Sequence, residues 1–241
     1  MADSLFSSSF RLGPVFAGTA RILLRNAGPL LAINVLPSLP TFVILAATGR
    51  APEGDEPLAL LLAVVGPLLS LFAAAATADG ACRSLRGGPF LTREGLGRVS
   101  RRYLPLLGAA ILSWLLIMAG LAALVVPGLM AIAALFVVLP VCIIESRGSV
   151  ESMERAARLT NGHRWRVFAL CLSTAVPMLA VSALLGDFTS QTSISVVQSI
   201  GDEAVSLLYL AVTGVTLGVS YEALRAFDEG GETGTLVMAF E

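Results

Sequence analysis

Glu145 follows a stretch, residues 104–144, in which no side chain is charged, and it stands just ahead of arginines at 147, 155, 158, 164 and 166. A carboxylate so placed could serve a transport site or clamp a nearby guanidinium. Left unpaired beside lipid it would be costly, so pairing with an arginine of the following segment is the expected role. Asp79, ending another apolar run, invites the same reading. His163 is the chain's one histidine and sits in Gly162-His163-Arg164-Trp165-Arg166. Metal binding and phosphodiester cleavage both need several His, Asp or Glu groups converging on one point, so a lone histidine among arginines reads as an interfacial polar residue. Cys82, Cys142 and Cys171 are far apart, form no C-x-x-C pair and read as apolar filler. Glycine-rich phosphate loops, paired catalytic carboxylates and nucleophile triads are not evident in the sequence. A chain with no catalytic residue, no cofactor and no metal ligand is therefore expected.

The elements that must carry these residues are membrane spans. Hydrophobic residues make up 56% of the 241 residues and charged ones 14%, with a mean hydropathy of +0.82. That balance belongs to an all-α integral membrane protein and not to a soluble domain. Apolar runs long enough to cross a bilayer fall near 27–47, 58–78, 104–125, 127–144, 167–186 and 204–222. They divide the chain into an N-terminal cytoplasmic segment (1–26), a six-span membrane domain (27–230) and a C-terminal tail (231–241). The 104–144 run is too long for one span and must turn. Pro127-Gly128 is the expected reversal, since proline lacks an amide hydrogen and glycine accepts unusual backbone angles. Pro140 is expected to kink the fourth span. The N-terminus lacks the pattern of a cleaved signal peptide.

The arginines orient the bundle. All 16 basic residues are Arg, and only Arg50 falls on the side opposite the others. By the positive-inside rule both termini are expected in the cytoplasm of a bacterial cell, with the protein in the inner membrane. Trp165 and Tyr103 are expected to anchor spans at the interface. Topology alone explains the arginines, and no nucleic-acid partner is called for.

Each odd-numbered span is preceded by a segment of helical amphipathicity. In the first, Leu12, Val15, Phe16, Thr19, Ile22 and Leu23 share a face opposite Arg21 and Arg25. In the second, Thr92 suits an N-cap, Leu96, Val99 and Tyr103 form a stripe, and Glu94 precedes Arg98 by four residues. In the third, Val150, Met153 and Ala157 line one side, Glu151 and Glu154 each precede an arginine by four, and Asn161-Gly162 ends the helix. Such helices are expected in the cytoplasmic interface, apolar face to the acyl chains and Arg to anionic headgroups. The fold expected is three transmembrane hairpins, each led by an interfacial helix.

From Leu124 to Phe168 the sequence combines Pro127-Gly128, a span with Pro140 and then Glu145 before Gly148, an arginine helix with Arg155 to Arg158, Leu159-Thr160, Gly162 and Trp165-Arg166. In this pattern it resembles the bacterial glycerophosphoryl diester phosphodiesterase membrane-domain-like, or YciC-type, family. The N-terminal segment and Tyr221, Leu224, Arg225, Glu229 and Gly230 near the end are also similar. Ala157 and Asn161 depart from the family's usual Ser and basic residue. The resemblance implies a six-helix membrane fold. It does not imply the phosphodiesterase activity, which in that family belongs to a separate soluble domain not expected after Gly230.

The function expected is that of a non-enzymatic inner-membrane accessory or scaffold subunit that engages anionic lipid and a membrane-protein partner. The contacts would come from Glu145, Arg155, Arg158, His163, Arg164, Trp165 and Arg166. The alternative is a carrier of a lipid or small amphiphile. Its cavity would lie between spans interrupted by Pro37, Pro40, Pro67, Pro140 and Pro177, with Ser38 and Ser173 on the lining.

Overall fold

The computed structural model describes residues 12–48, 57–190 and 195–228, and all regular structure within them is helical. Arg11, Arg50, Glu229, Gly230 and the 231–241 tail lie outside the described residues. In order, the helices are α1 (Leu12–Arg25), α2 (Ala27–Asn34), α3 (Leu39–Thr48), α4 (Pro57–Leu85), α5 (Arg93–Arg101) and α6 (Tyr103–Ala123). There follow α7 (Val125–Leu135), α8 (Val138–Ile144), α9 (Ser149–Leu159), α10 (Arg164–Ser190) and α11 (Ser195–Asp228). Six stretches are long and apolar enough to cross a membrane: Ala27–Thr48, Pro57–Leu85, Tyr103–Ala123, Val125–Ile144, Arg164–Leu184 and Ile200–Asp228. The chain is thus a helical, multi-pass membrane protein.

These stretches follow the apolar runs, with informative differences at their ends. α4 does not stop where the apolar run does, so Asp79 and Arg83 are helical residues and not loop residues. In the Ser/Thr-rich segment 187–202, between the fifth and sixth apolar runs, α10 runs on to Ser190 and α11 starts at Ser195. Only a modest propensity cost attaches to Ser and Thr in a helix, and no proline intervenes.

The reversal between α6 and α7 also falls earlier than expected. Leu124 alone is extended, with φ −162° and ψ 142°, and Pro127 and Gly128 lie inside the first turn of α7. The first turn is where proline's missing amide costs nothing, because those amides have no partner within the helix. Gly128 is needed for close approach and not for a turn: a Cβ there would sit 2.7 Å from the Leu121 backbone nitrogen.

Proline does break two spans. The helix of the first pauses in a 3-10 turn at Leu36–Ser38, around Pro37. That of the fourth pauses at Phe136 and Val137, between α7 and α8. Pro140 has no amide to give the Phe136 carbonyl, so the pause one turn before it is the expected consequence. Pro67 and Pro177 instead lie within continuous helices.

Packing is densest between α4 and α11. Small residues allow it: a Cβ on Gly214 would meet Thr77 Cγ2 at 2.7 Å, and one on Gly218 would meet the Ala78 carbonyl oxygen at 2.6 Å. Small side chains let helix backbones close where the hydrophobic effect offers no drive, as within lipid. The pairings Thr77 with Gly214, Ala78 and Ala81 with Gly218, and Arg86 with Glu222 advance together, so the two helices run parallel. By contrast, Asn26 Nδ2 donates to Ser84 Oγ at 3.3 Å and Asn34 Nδ2 to Thr77 Oγ1 at 3.3 Å, which sets α2 antiparallel to α4. The buried core gathers at this end of the bundle, in Ala73 to Cys82, Val137 to Ile143 and Val215 to Leu224, with Leu139 and Ala223 half-buried. The early part of α4 and the later parts of α6 and α10 expose Leu60, Leu61, Val64, Leu115, Leu116, Leu179 and Leu184.

Candidate functional site

Three carboxylates lie near the C-terminal ends of α4, α8 and α11, Asp79 and Glu222 buried and Glu145 half-buried, each answered by arginine. Asp79, on α4, is 2.8 Å from Arg83 Nη2 one turn along and 2.9 Å from Arg98 Nη2 of α5. Arg83 also donates to the Thr92 hydroxyl, and that same oxygen caps α5 by accepting from the Gly95 amide at 3.0 Å. Thr92 is thus the N-cap that its sequence position suggests. The expected Glu94–Arg98 pair does not form, because Arg98 is turned to Asp79.

Glu145, just past α8, gathers three partners. Arg147 Nε lies 2.7 Å from Oε2, Arg155 Nε lies 3.3 Å from Oε1, and the Tyr221 hydroxyl donates to Oε1 at 3.2 Å. The pairing expected of Glu145 is present, with an added hydroxyl from α11. Arg155 then reaches on to Asp228 at 2.6 Å, so one guanidinium joins α9, the end of α8 and the end of α11. Burial works against the charge of Arg155, and the hydrogen bond to Asp228 and the pull of Glu145 outweigh it, raising its pKa above the ordinary arginine value. Among the described residues, the ion pairs recorded for α9 run to Glu145 and Asp228 and not within the helix. Glu151 accepts from the Gly148 amide at 3.3 Å, closing the start of the helix.

Glu222 of α11 completes the set. Its side chain is 5% exposed and lies 2.6 Å from Arg86 Nη2, at the end of α4. Sequence reasoning passed over it. The signal was present, since Glu222 follows an uncharged apolar run just as Asp79 and Glu145 do.

The remaining residues singled out from sequence disperse. Arg158 is exposed, as are Trp165 and Arg166, and Trp165 stacks edge-on against Phe168 with centroids 6.3 Å apart. His163 lies against Phe227 at 5.9 Å, and Arg164 is half-buried. Tyr103 donates its hydroxyl to the Leu68 carbonyl at 2.7 Å, tying α6 to α4. Cys82 and Cys142 are buried free thiols, and Cys171 is half-buried. Ser38 is buried in the broken first span, whereas Ser173 is exposed and donates to its own helix at the Leu170 carbonyl, so the two do not face one cavity. Among the described residues, no group of three or more His, Cys, Asp or Glu is placed to hold a metal ion.

The three amphipathic segments are helices α1, α5 and α9, and each also buries residues against the protein. Val15, Thr19 and Ile22 are buried, and α1 packs on α11. On α9 the buried residues are Ser152, Ala156 and Leu159, set against the protein. Leu159, which falls outside the apolar stripe, is thus a core residue, and the stripe itself (Val150, Met153, Ala157) overlooks a groove of 610 Å³ between α6 and α7. A short helix beside a bundle must first bury a face on its neighbours, and small residues such as Ser152 and Ala156 let it do so closely.

Comparison with family profiles, curated proteins and solved structures returned no match.

Proposed function

We propose that this is a non-enzymatic accessory or scaffold subunit of a bacterial inner membrane, of the YciC-type group that its central region resembles. In this reading the spans form three hairpins, both termini and the arginine-rich end face the cytoplasm, and α1, α5 and α9 border the membrane interface. The observation that carries it is the division of labour among the arginines. Arg83, Arg86, Arg98, Arg147 and Arg155 close on Asp79, Glu145 and Glu222 and hold the ends of three spans together. Arg93, Arg101 and Arg158 are exposed on α5 and α9. An end whose span-terminal carboxylates are all paired, fringed by outward guanidinium groups, suits contact with anionic headgroups and with a partner's acidic surface. Arg155 is therefore a structural residue, and lipid contact passes to the exposed set.

Native mass spectrometry of protein released gently from its own membrane tests this. Retained anionic lipid and a stoichiometric protein partner beyond the 25.0 kDa chain are expected, and Arg93→Glu with Arg101→Glu should strip most of the lipid. Equal retention by the variant, with no partner, would refute the reading.

A further inference from the structure

The groove between α6, α7 and α9 has a composition that limits what can fill it. Leu112 and Leu116 form one wall, Ala131 and Ala134 the other, and Met153 and Ala157 overhang it from α9. At 610 Å³ it is of a size that holds a small ligand and not a protein domain. Two of its walls are candidate membrane spans, so hydrocarbon is what surrounds it. Apolar contact alone gives no selectivity there, because lipid tails are as apolar as leucine.

Selectivity would have to come from the rim. Glu154 is the one charged residue lining the groove, and Arg158 is exposed one turn further along α9. Their spacing permits a pair, yet among the described residues neither takes an ion-pair partner. Glu154 is exposed at the rim of the trough, where an ammonium group would complement its charge. A phosphate next to that ammonium would fall to Arg158.

We infer that the groove holds one acyl chain of a phospholipid whose headgroup carries a primary amine, the ammonium on Glu154 and the phosphate at Arg158. A choline headgroup cannot donate a hydrogen bond to the carboxylate, and a glycerol headgroup brings no positive charge. The inference rests on the reading above in one respect, that α9 borders the membrane interface.

The test is photo-crosslinking of the full chain in vesicles of ethanolamine, choline and glycerol phospholipids in equal parts. Each lipid in turn carries a diazirine at the same acyl position, and marked peptides are mapped by mass spectrometry. The ethanolamine probe should mark the 112–116 and Met153 peptides about fivefold more than the others, the effect of roughly one charge-assisted contact. Glu154→Gln should abolish that preference. Ala157→Trp, which fills the trough, should reduce marking there while marking on exposed Leu179 and Leu184 of α10 persists, showing a folded and embedded chain. Equal marking by all three probes, or marking of the groove no stronger than that of α10, overturns the inference. Retention of glycerol phospholipid by the Arg93→Glu, Arg101→Glu variant is a separate readout on α5, so either idea can fail while the other stands.

Discussion

Arg86 Nη2 and Glu222 Oε1 lie 2.6 Å apart, joining the ends of two helices whose paired residues are far separated in sequence. The contact fixes α4 and α11 in parallel register, continuing the seam that Gly214 and Gly218 open to Thr77 and Ala78. Arg86 is half-exposed and Glu222 enclosed, so the two ends of the pair are not equivalent.

That inequality gives a prediction. Arg86→Met leaves a buried carboxylate unanswered and is expected to destabilise the protein by about 3 kcal/mol, whereas Glu222→Gln removes the charge and should cost less. Thermal unfolding of the purified variants in one detergent checks the order. A larger loss for Glu222→Gln would show that the carboxylate is stabilised by something other than Arg86.

Arg155 bridges Glu145 and Asp228, and such a bridge is cooperative. A double-mutant cycle with Glu145→Gln and Arg155→Gln should give a coupling of about 1–3 kcal/mol, as for residues of one network. Arg155→Lys should not restore the stability of the parent, because a point-like ammonium cannot present two separated edges to two carboxylates. Additive losses in the cycle would dissolve the network into independent contacts.

Glycine at the helix contacts is a packing requirement. Gly128→Ala and Gly218→Ala push a methyl group into backbone atoms and are each expected to cost about 1–3 kcal/mol. Gly97, in α5, has nothing within 4 Å of where its Cβ would lie, and Gly97→Ala should stabilise by about 0.5–1 kcal/mol through helix propensity. Denaturation midpoints of the three variants should therefore split in sign about the parent value.

Much of this was legible in the residues. Span number follows from runs of about twenty apolar residues, because backbone groups in hydrocarbon must be satisfied within the helix. Asp79 and Glu145 could be assigned to arginine partners because each ends such a run. The choice of partner was not legible. Sequence spacing favours pairs four apart on α9, yet Arg155 turns to Glu145 and Asp228, where burial strengthens the interaction. Helix faces were legible only in part. Periodicity shows that Val150, Met153 and Ala157 share a side, but cannot show that the opposite side, with Ser152 and Ala156, is small enough to seat the helix on its neighbours. The turn before α7 was misplaced because proline and glycine serve two purposes. In α7 they suit a first turn and a close contact, and the reversal itself needs only one extended residue at Leu124.

Orientation is the premise on which lipid and partner contact both depend, and thiol labelling measures it directly. Cys82, Cys142 and Cys171 are replaced by Ala, and a single cysteine is placed at Leu124, exposed between α6 and α7, or at Arg158, exposed on α9. A membrane-impermeant maleimide is then applied to intact spheroplasts. Cysteine at 124 should react at once and cysteine at 158 only after the membrane is permeabilised. Immediate reaction at 158 with protection at 124 would place the arginine-rich end outside the cell and contradict the proposed function.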